Sequence, residues 1–206
     1  SVLIKHFTHL LPFSPNPESA IVHFRDFIDQ LFRRPNWPDE LASLERQEVL
    51  QGLARVLGVS DFLWDDFLRM QYTNLFPVVK DVDALASAKS HAQLQSELAE
   101  VLARVHAGAQ PPDVNAPWIL ALNDWKDREM FRIDMRHILG YSAEFWGFSE
   151  ELTTLVEVVT GSALERITAV LRAVYGQPLR EDGQPSTVAV VALGKCGGRE
   201  LGFASD

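Results

Sequence analysis

Residues 187–193 (TVAVVAL) are a continuous run of apolar or β-branched residues, and they constrain the fold more than any other stretch of the chain. The run is too short for a stable helix and fits a strand buried on both faces. A glycine-rich stretch, GKCGGRELGFASD, follows at once over 194–206. Every other strand candidate is weak. A single strand cannot make a sheet, so its ladder partners are expected beyond residue 206 or on another chain. The expected fold is mainly α. A helical bundle body over 1–180 precedes, over 186–206, the first β-strand and glycine loop of a truncated α/β domain.

Upstream of Pro178 the apolar residues recur at helical spacing. Leu3, Phe7 and Leu10 share one face of a short first segment. Asn16-Pro17-Glu18 is a helix start, with Asn as cap, Pro in the first turn and Glu at the positive end of the dipole. Ile21, Phe24, Ile28 and Leu31 continue that helix, and Pro35 and Pro38 break the pattern. One helix is expected over about 39–57, stopping at Gly58. Another is expected from a Ser60 cap, carrying Leu63, Trp64, Phe67 and Leu68. Leu94, Leu98, Val101 and Val105 predict a helix over about 90–106. Residues 107–117 (AGAQPPDVNAP) read as a linker. A helix over about 124–139 ends at Gly140. A long one, capped by Ser149, then closes near Gly176 and Pro178. Residues 180–186 (REDGQPS) are turn chemistry. The five tryptophans are expected in the core.

Composition removes several classes. The 206 residues carry 19 Lys and Arg against 28 Asp and Glu, a formal charge of −9, with no basic arm or stripe. A phosphate-backbone binder is not expected, so no nucleic-acid partner is assigned. The single cysteine excludes an internal disulfide framework and a cysteine-rich zinc site. No apolar run approaches the ~20 residues that span a bilayer, so no membrane association is expected. The first residues have no signal-peptide pattern, and the expected location is the cytoplasm.

The strand and glycine stretch point to phosphate chemistry. Glycines let the backbone approach a phosphate, with successive N–H groups aimed at its oxygens. The spacing fits neither the P-loop nor the dinucleotide fingerprint. An acid just past a phosphate cradle, as in Ser205-Asp206, can hold a divalent cation against the same phosphates.

Residues 193–206, LGKCGGRELGFASD, resemble the opening of the nucleotidyltransferase motif in the glutamine synthetase adenylyltransferase and adenylyl-removing family. The match lies at Gly194, Lys195, Gly197, Gly198, Glu200, Leu201, Ser205 and Asp206. Cys196 stands where the family usually has Leu, and Ala204 where it usually has Ser. Residues 128–133 (REMFRI) with Leu139-Gly140, residues 58–63 (GVSDFL), and the helix from Asn16 to Phe27 are similar to further family segments. The REM form looks more like the N-terminal, AMP-removing half of these usually duplicated enzymes.

The resemblance implies an α/β nucleotidyltransferase domain and metal-assisted transfer of AMP to or from a tyrosine of glutamine synthetase. It implies Mg²⁺ or Mn²⁺ as metal, and ATP, ADP or phosphate as nucleotide-site ligands. Gly194, Lys195, Gly197, Gly198 and Ser205 would bind the nucleotide. Asp206 would be the catalytic, metal-binding acid. Glutamine synthetase is the implied partner, with the PII signalling protein a further one. One carboxylate cannot hold two ions, so residues 1–206 alone are expected to be inert. Two other readings stand beside this one. One is a relative of the PII-type uridylyltransferases, which Lys195 and the double glycine disfavour. The other is a helical protein-interaction module with a degenerate nucleotidyltransferase part.

Other polar features have plainer readings. Lys195 fits a phosphate contact or a solvated lysine equally well. Arg199 and Glu200 read as a surface pair, and Cys196 as a small apolar residue. Arg128, Arg132 and Arg136, four apart, read better as a solvated face paired with acids such as Asp124 than as a nucleotide-facing strip. Asp61 and Asp65 read as a solvated pair, and the six histidines suggest no zinc site.

Overall fold

The computed structural model describes residues 2–44, 46–59, 61, 64, 83–105, 116–142 and 144–203. The chain divides into two compact units: Ser1–Ser87 with Phe131–Ala143, and Ala88–Met130 with Glu144–Asp206.

The first unit opens with α1 (Val2–Leu10), a 3₁₀ turn (Leu11–Phe13) and α2 (Pro17–Leu31). Asn16 caps α2 as its sequence demands, accepting from the backbone N–H groups of Glu18 and Ser19 at 3.2 Å each. A cap of this kind contributes about 1 kcal/mol. The helix expected over 39–57 is two helices, α3 (Trp37–Ser43) and α4 (Gln47–Leu57). Arg46 takes an extended conformation at the start of α4. Pro38 does not break a helix. It lies in the first turn of α3, where no N–H is needed.

The apolar faces of α1 and α2 pack on α4. Phe7 stacks on Phe24 at 3.8 Å, and Phe27, Leu31, Leu50, Leu53 and Leu57 complete the interior with Phe131, Met135 and Leu139. Ile21, although on the apolar spacing of α2, is exposed. Gly58 ends α4 against Ser14. A Cβ at position 58 would overlap the Ser14 hydroxyl and lie 3.1 Å from its Cβ. The helix expected from Ser60 falls, apart from Asp61 and a buried Trp64, outside the described residues.

The second unit holds α5 (His91–Ala103), most of α6 (Pro117–Ile138) and α7 (Phe145–Tyr175). Ser90 and Gln93 form a reciprocal capping box at the start of α5. Most of the expected linker, residues 107–115, lies outside the described residues, and Pro117 opens α6. α6 thus begins seven residues before its expected start at 124. Leu94, Leu98 and Leu102 of α5 are buried, as are Phe148, Leu152, Leu155 and Val158 of α7, and the two helices pack together. Trp118 and Trp125 join Trp64 as buried tryptophans, whereas Trp37 and Trp146 are exposed, against expectation. Gly176 ends α7 with a φ of 83°.

After α7 the turn expected over 180–186 forms. Arg180 N–H donates to the Gln184 carbonyl, and Leu179 and Pro185 make an isolated antiparallel bridge. The expected strand over 187–193 does not form. Among the described residues there is no strand, and all seven of these residues are exposed, Val191 at 77% and Leu193 at 82%. The physical reason is the one that made the run conspicuous. A strand apolar on both faces needs neighbours for its backbone and its side chains, and no described segment pairs with it as a strand.

Candidate functional site

The glycine stretch is a single helical turn, α8 (Gly194–Gly197), rather than an open loop. Gly194 enters it at a φ of 59°. Gly197 is tightly held, because a Cβ there would run into the backbone carbonyl of Ala192, 2.9 Å from its carbon. Gly198 N–H donates to the Gly194 carbonyl at 2.9 Å. The turn closes with two further bonds. Glu200 N–H donates to Lys195 O at 2.7 Å, and Arg199 N–H donates to Cys196 O at 3.2 Å. This is the Schellman pattern, whose left-handed residue is usually glycine. Here that residue is Arg199, at a φ of 56°.

Residues 199–203 are fastened to α7. Arg199 Nη1 lies 3.3 Å from Glu150 Oε1, and Nη2 lies 3.0 Å from Glu157 Oε1. The buried Ser149 hydroxyl donates to the Leu201 carbonyl at 2.6 Å. Leu201 is buried, and the Phe203 ring lies 4.8 Å from that of Phe148. Two expectations are corrected here. Ser149 does not cap α7. The helix starts at Phe145, and Ser149 sits within it as a tether. The ion pairs of Arg199 run to α7, not to its neighbour Glu200. Magnitudes rank these contacts. Left-handed backbone costs a side-chain-bearing residue roughly 1–2 kcal/mol. Two half-exposed ion pairs return only a few tenths to about 1 kcal/mol each. The two effects nearly offset, so the arginine adds little net stability. The buried Ser149 bond contributes about 1 kcal/mol.

The remaining candidates are placed unequally. Lys195 is exposed and Cys196 is half-buried. Ser205 and Asp206 lie outside the described residues. Among the described residues no group of three or more His, Cys, Asp or Glu could hold a metal ion, so these residues do not by themselves form a divalent-ion site. The arginines of α6 do not form a solvated face. Arg128 is exposed, but Arg132 and Arg136 are buried, and the Arg136 guanidinium donates to the Leu85 carbonyl. Asp134, between them in sequence, is 3% exposed, and burial pushes its carboxyl up to about 8. Glu129 is also buried, with Lys89 Nζ at 2.8 Å. Asp61 is solvated yet accepts from Ser19 Oγ at 3.0 Å and faces the buried His23 ring at 3.4 Å. Asp65 lies outside the described residues.

Ser149, Glu150 and Glu157 were not legible as partners of the glycine motif. They lie 52, 49 and 42 residues from the groups they hold, and no local pattern reports such a pairing.

The family model described as glutamate-ammonia ligase adenylyltransferase matches residues 50–206. The chain belongs to this family. The match takes in the glycine turn, its α7 anchor and the Ser205-Asp206 end of the motif. Bifunctional glutamine synthetase adenylyltransferase/adenylyl-removing enzymes are similar along the chain. That of Shewanella woodyi is 28% identical over 195 residues, covering 94% of this chain and 19% of its own length. That of Streptomyces avermitilis is 27% identical over 200 residues, again covering 94% of this chain and 19% of its own. That of Thioalkalivibrio sulfidiphilus is 34% identical over 113 residues, 53% of this chain. The chain therefore spans about a fifth of the length of the first two. No solved structure matches it significantly. Among the described residues, no helix of this adenylyltransferase-family chain is long and apolar enough to cross a membrane.

Proposed function

We propose that this chain is part of a cytoplasmic enzyme that removes AMP from, or attaches it to, a tyrosine of glutamine synthetase. The observation that carries the reading is the family match over 50–206, which runs through the glycine turn to Ser205-Asp206. Gly194, Lys195, Gly197, Gly198 and Ser205 bind the nucleotide phosphates. Asp206 supplies one carboxylate to a Mg²⁺ or Mn²⁺ ion, which stabilises charge at the transferred phosphorus. ATP, ADP or inorganic phosphate occupies the nucleotide site according to direction. The REM stretch at 128–130 favours the AMP-removing half. Residues 1–180 form the helical body and 186–206 begin the transferase domain. PII is a further partner in this reading.

The chain's own contribution is positional. The N–H groups of Gly197 and Gly198 are spent on the carbonyls of Leu193 and Gly194, which leaves those of residues 194–196 to meet phosphate, and α7 holds the segment that follows through Arg199 and Leu201. The natural full-length protein should release AMP from adenylylated glutamine synthetase with phosphate, or incorporate AMP from ATP. Residues 1–206 alone should do neither. A full-length protein active in neither direction would refute the reading. Turnover by residues 1–206 would refute the expectation that this part is inert.

A further inference from the structure

We propose that Arg199 is a positioning residue, which locks the glycine turn onto α7 and so sets how residues 194–198 meet the nucleotide. The proposal rests on the nucleotidyl-transfer reading above and names the device that holds that site. Arg199 occupies the left-handed position that ends the turn, where glycine fits without strain. The chain has glycine at 194, 197, 198 and 202, yet places an arginine here. Its guanidinium spans two carboxylates seven residues apart on α7, with one terminal nitrogen on Glu150 and the other on Glu157. Two residues further on, the buried Ser149 hydroxyl holds the Leu201 carbonyl.

A single anchor would leave a hinge. Two anchors of different chemistry, on either side of Glu200, fix both the place and the rotation of the turn. Stability alone does not account for the arginine, because backbone strain and exposed ion pairs nearly cancel. Direct phosphate binding does not account for it either, since both terminal nitrogens are engaged with α7. A planar fork reaching two acids also distinguishes arginine from lysine, whose single ammonium is a point charge.

The test uses the natural full-length protein with three variants: Arg199→Gly, Arg199→Lys and the double variant Glu150→Gln/Glu157→Gln. Both directions of AMP transfer are measured as kcat and KM, alongside thermal melting and amide exchange at Glu200–Gly202. Arg199→Gly should melt like wild type yet lose about 10- to 100-fold in kcat, the scale of a small misplacement of reacting groups. Its KM for the protein substrate should move by less than about threefold, since binding elsewhere is untouched. The glutamine double variant should lose kcat in parallel and exchange faster at 200–202, and Arg199→Lys should recover only part of the rate.

Wild-type kcat in Arg199→Gly would overturn the proposal while leaving the functional reading intact. Full activity in the glutamine double variant beside an inactive Arg199→Gly would also overturn it, because Arg199 would then act directly. A wild-type protein active in neither direction would overturn the functional reading and the positioning role together.

Discussion

Lys89 joins two acids that differ in burial, and the difference sets what its removal should cost. Its Nζ lies 2.6 Å from Glu97 Oε2 and 2.8 Å from Glu129 Oε1. The Glu97 side chain is 41% exposed and that of Glu129 is 10% exposed. Replacing Lys89 with Met keeps the stem and removes the charge. Glu97 can turn to water, so that pair contributes about 0.5 kcal/mol. Glu129 cannot, and its carboxylate would stay buried without this cation. Breaking a fully buried pair costs about 3–5 kcal/mol. Lys89 is a quarter exposed and Glu129 keeps other contacts, so about 1.5–3 kcal/mol is expected here. With a urea m-value of about 2 kcal/mol/M, the midpoint should fall by roughly 1 M. Glu97→Gln should cost no more than about 0.5 kcal/mol. The Lys89→Met/Glu129→Gln double variant should lose less than the sum of its parts by about 1 kcal/mol or more. Equal costs for Glu97→Gln and Glu129→Gln, or strict additivity in the cycle, would refute the reasoning.

Two further predictions concern other sites. Burial raises the folded pKa of Asp134 to about 8, far above its unfolded value, so the folded state binds the extra proton between those values. Stability from this group is therefore full below about pH 4 and is lost as pH rises toward 8. Asp134→Asn should flatten that decline and raise stability at pH 8 by a few kcal/mol, read by urea denaturation at pH 5 and 8; an unchanged slope would contradict it. Gly197→Ala would force a Cβ against the Ala192 carbonyl, and should open the 194–198 turn at a cost of about 1–3 kcal/mol. Amide exchange at Gly198 and Glu200 should accelerate, and unchanged protection would count against the close approach.

Particular residues show which parts of the fold were legible. Asn16-Pro17, Gly58 and Gly176 lie at helix ends as their types require. Residues 180–186 fold as their turn chemistry demands. Burial was harder to read. Arg132 and Arg136 look like a solvated face by spacing, yet α6 carries them into the interior. The run at 187–193 shows the opposite failure. Its residues are right for a buried strand, but burial and pairing belong to neighbours, and no described segment provides them.

The candidate site divides along the same line. Its glycines, Lys195 and the Ser205-Asp206 end of the motif stand in the sequence as a pattern. The arginine closing the turn left-handed, and the acids that receive it, do not.

The sequence by itself determined the helical character, several helix ends and the family, because caps, turns and motifs act through bonds spanning a few residues. Only the tertiary structure decided which charges are buried, that Ser149 is a tether rather than a cap, and that Arg199 reaches Glu150 and Glu157. Those outcomes depend on groups more than forty residues apart meeting in space, where desolvation and geometry, not local propensity, set the energy.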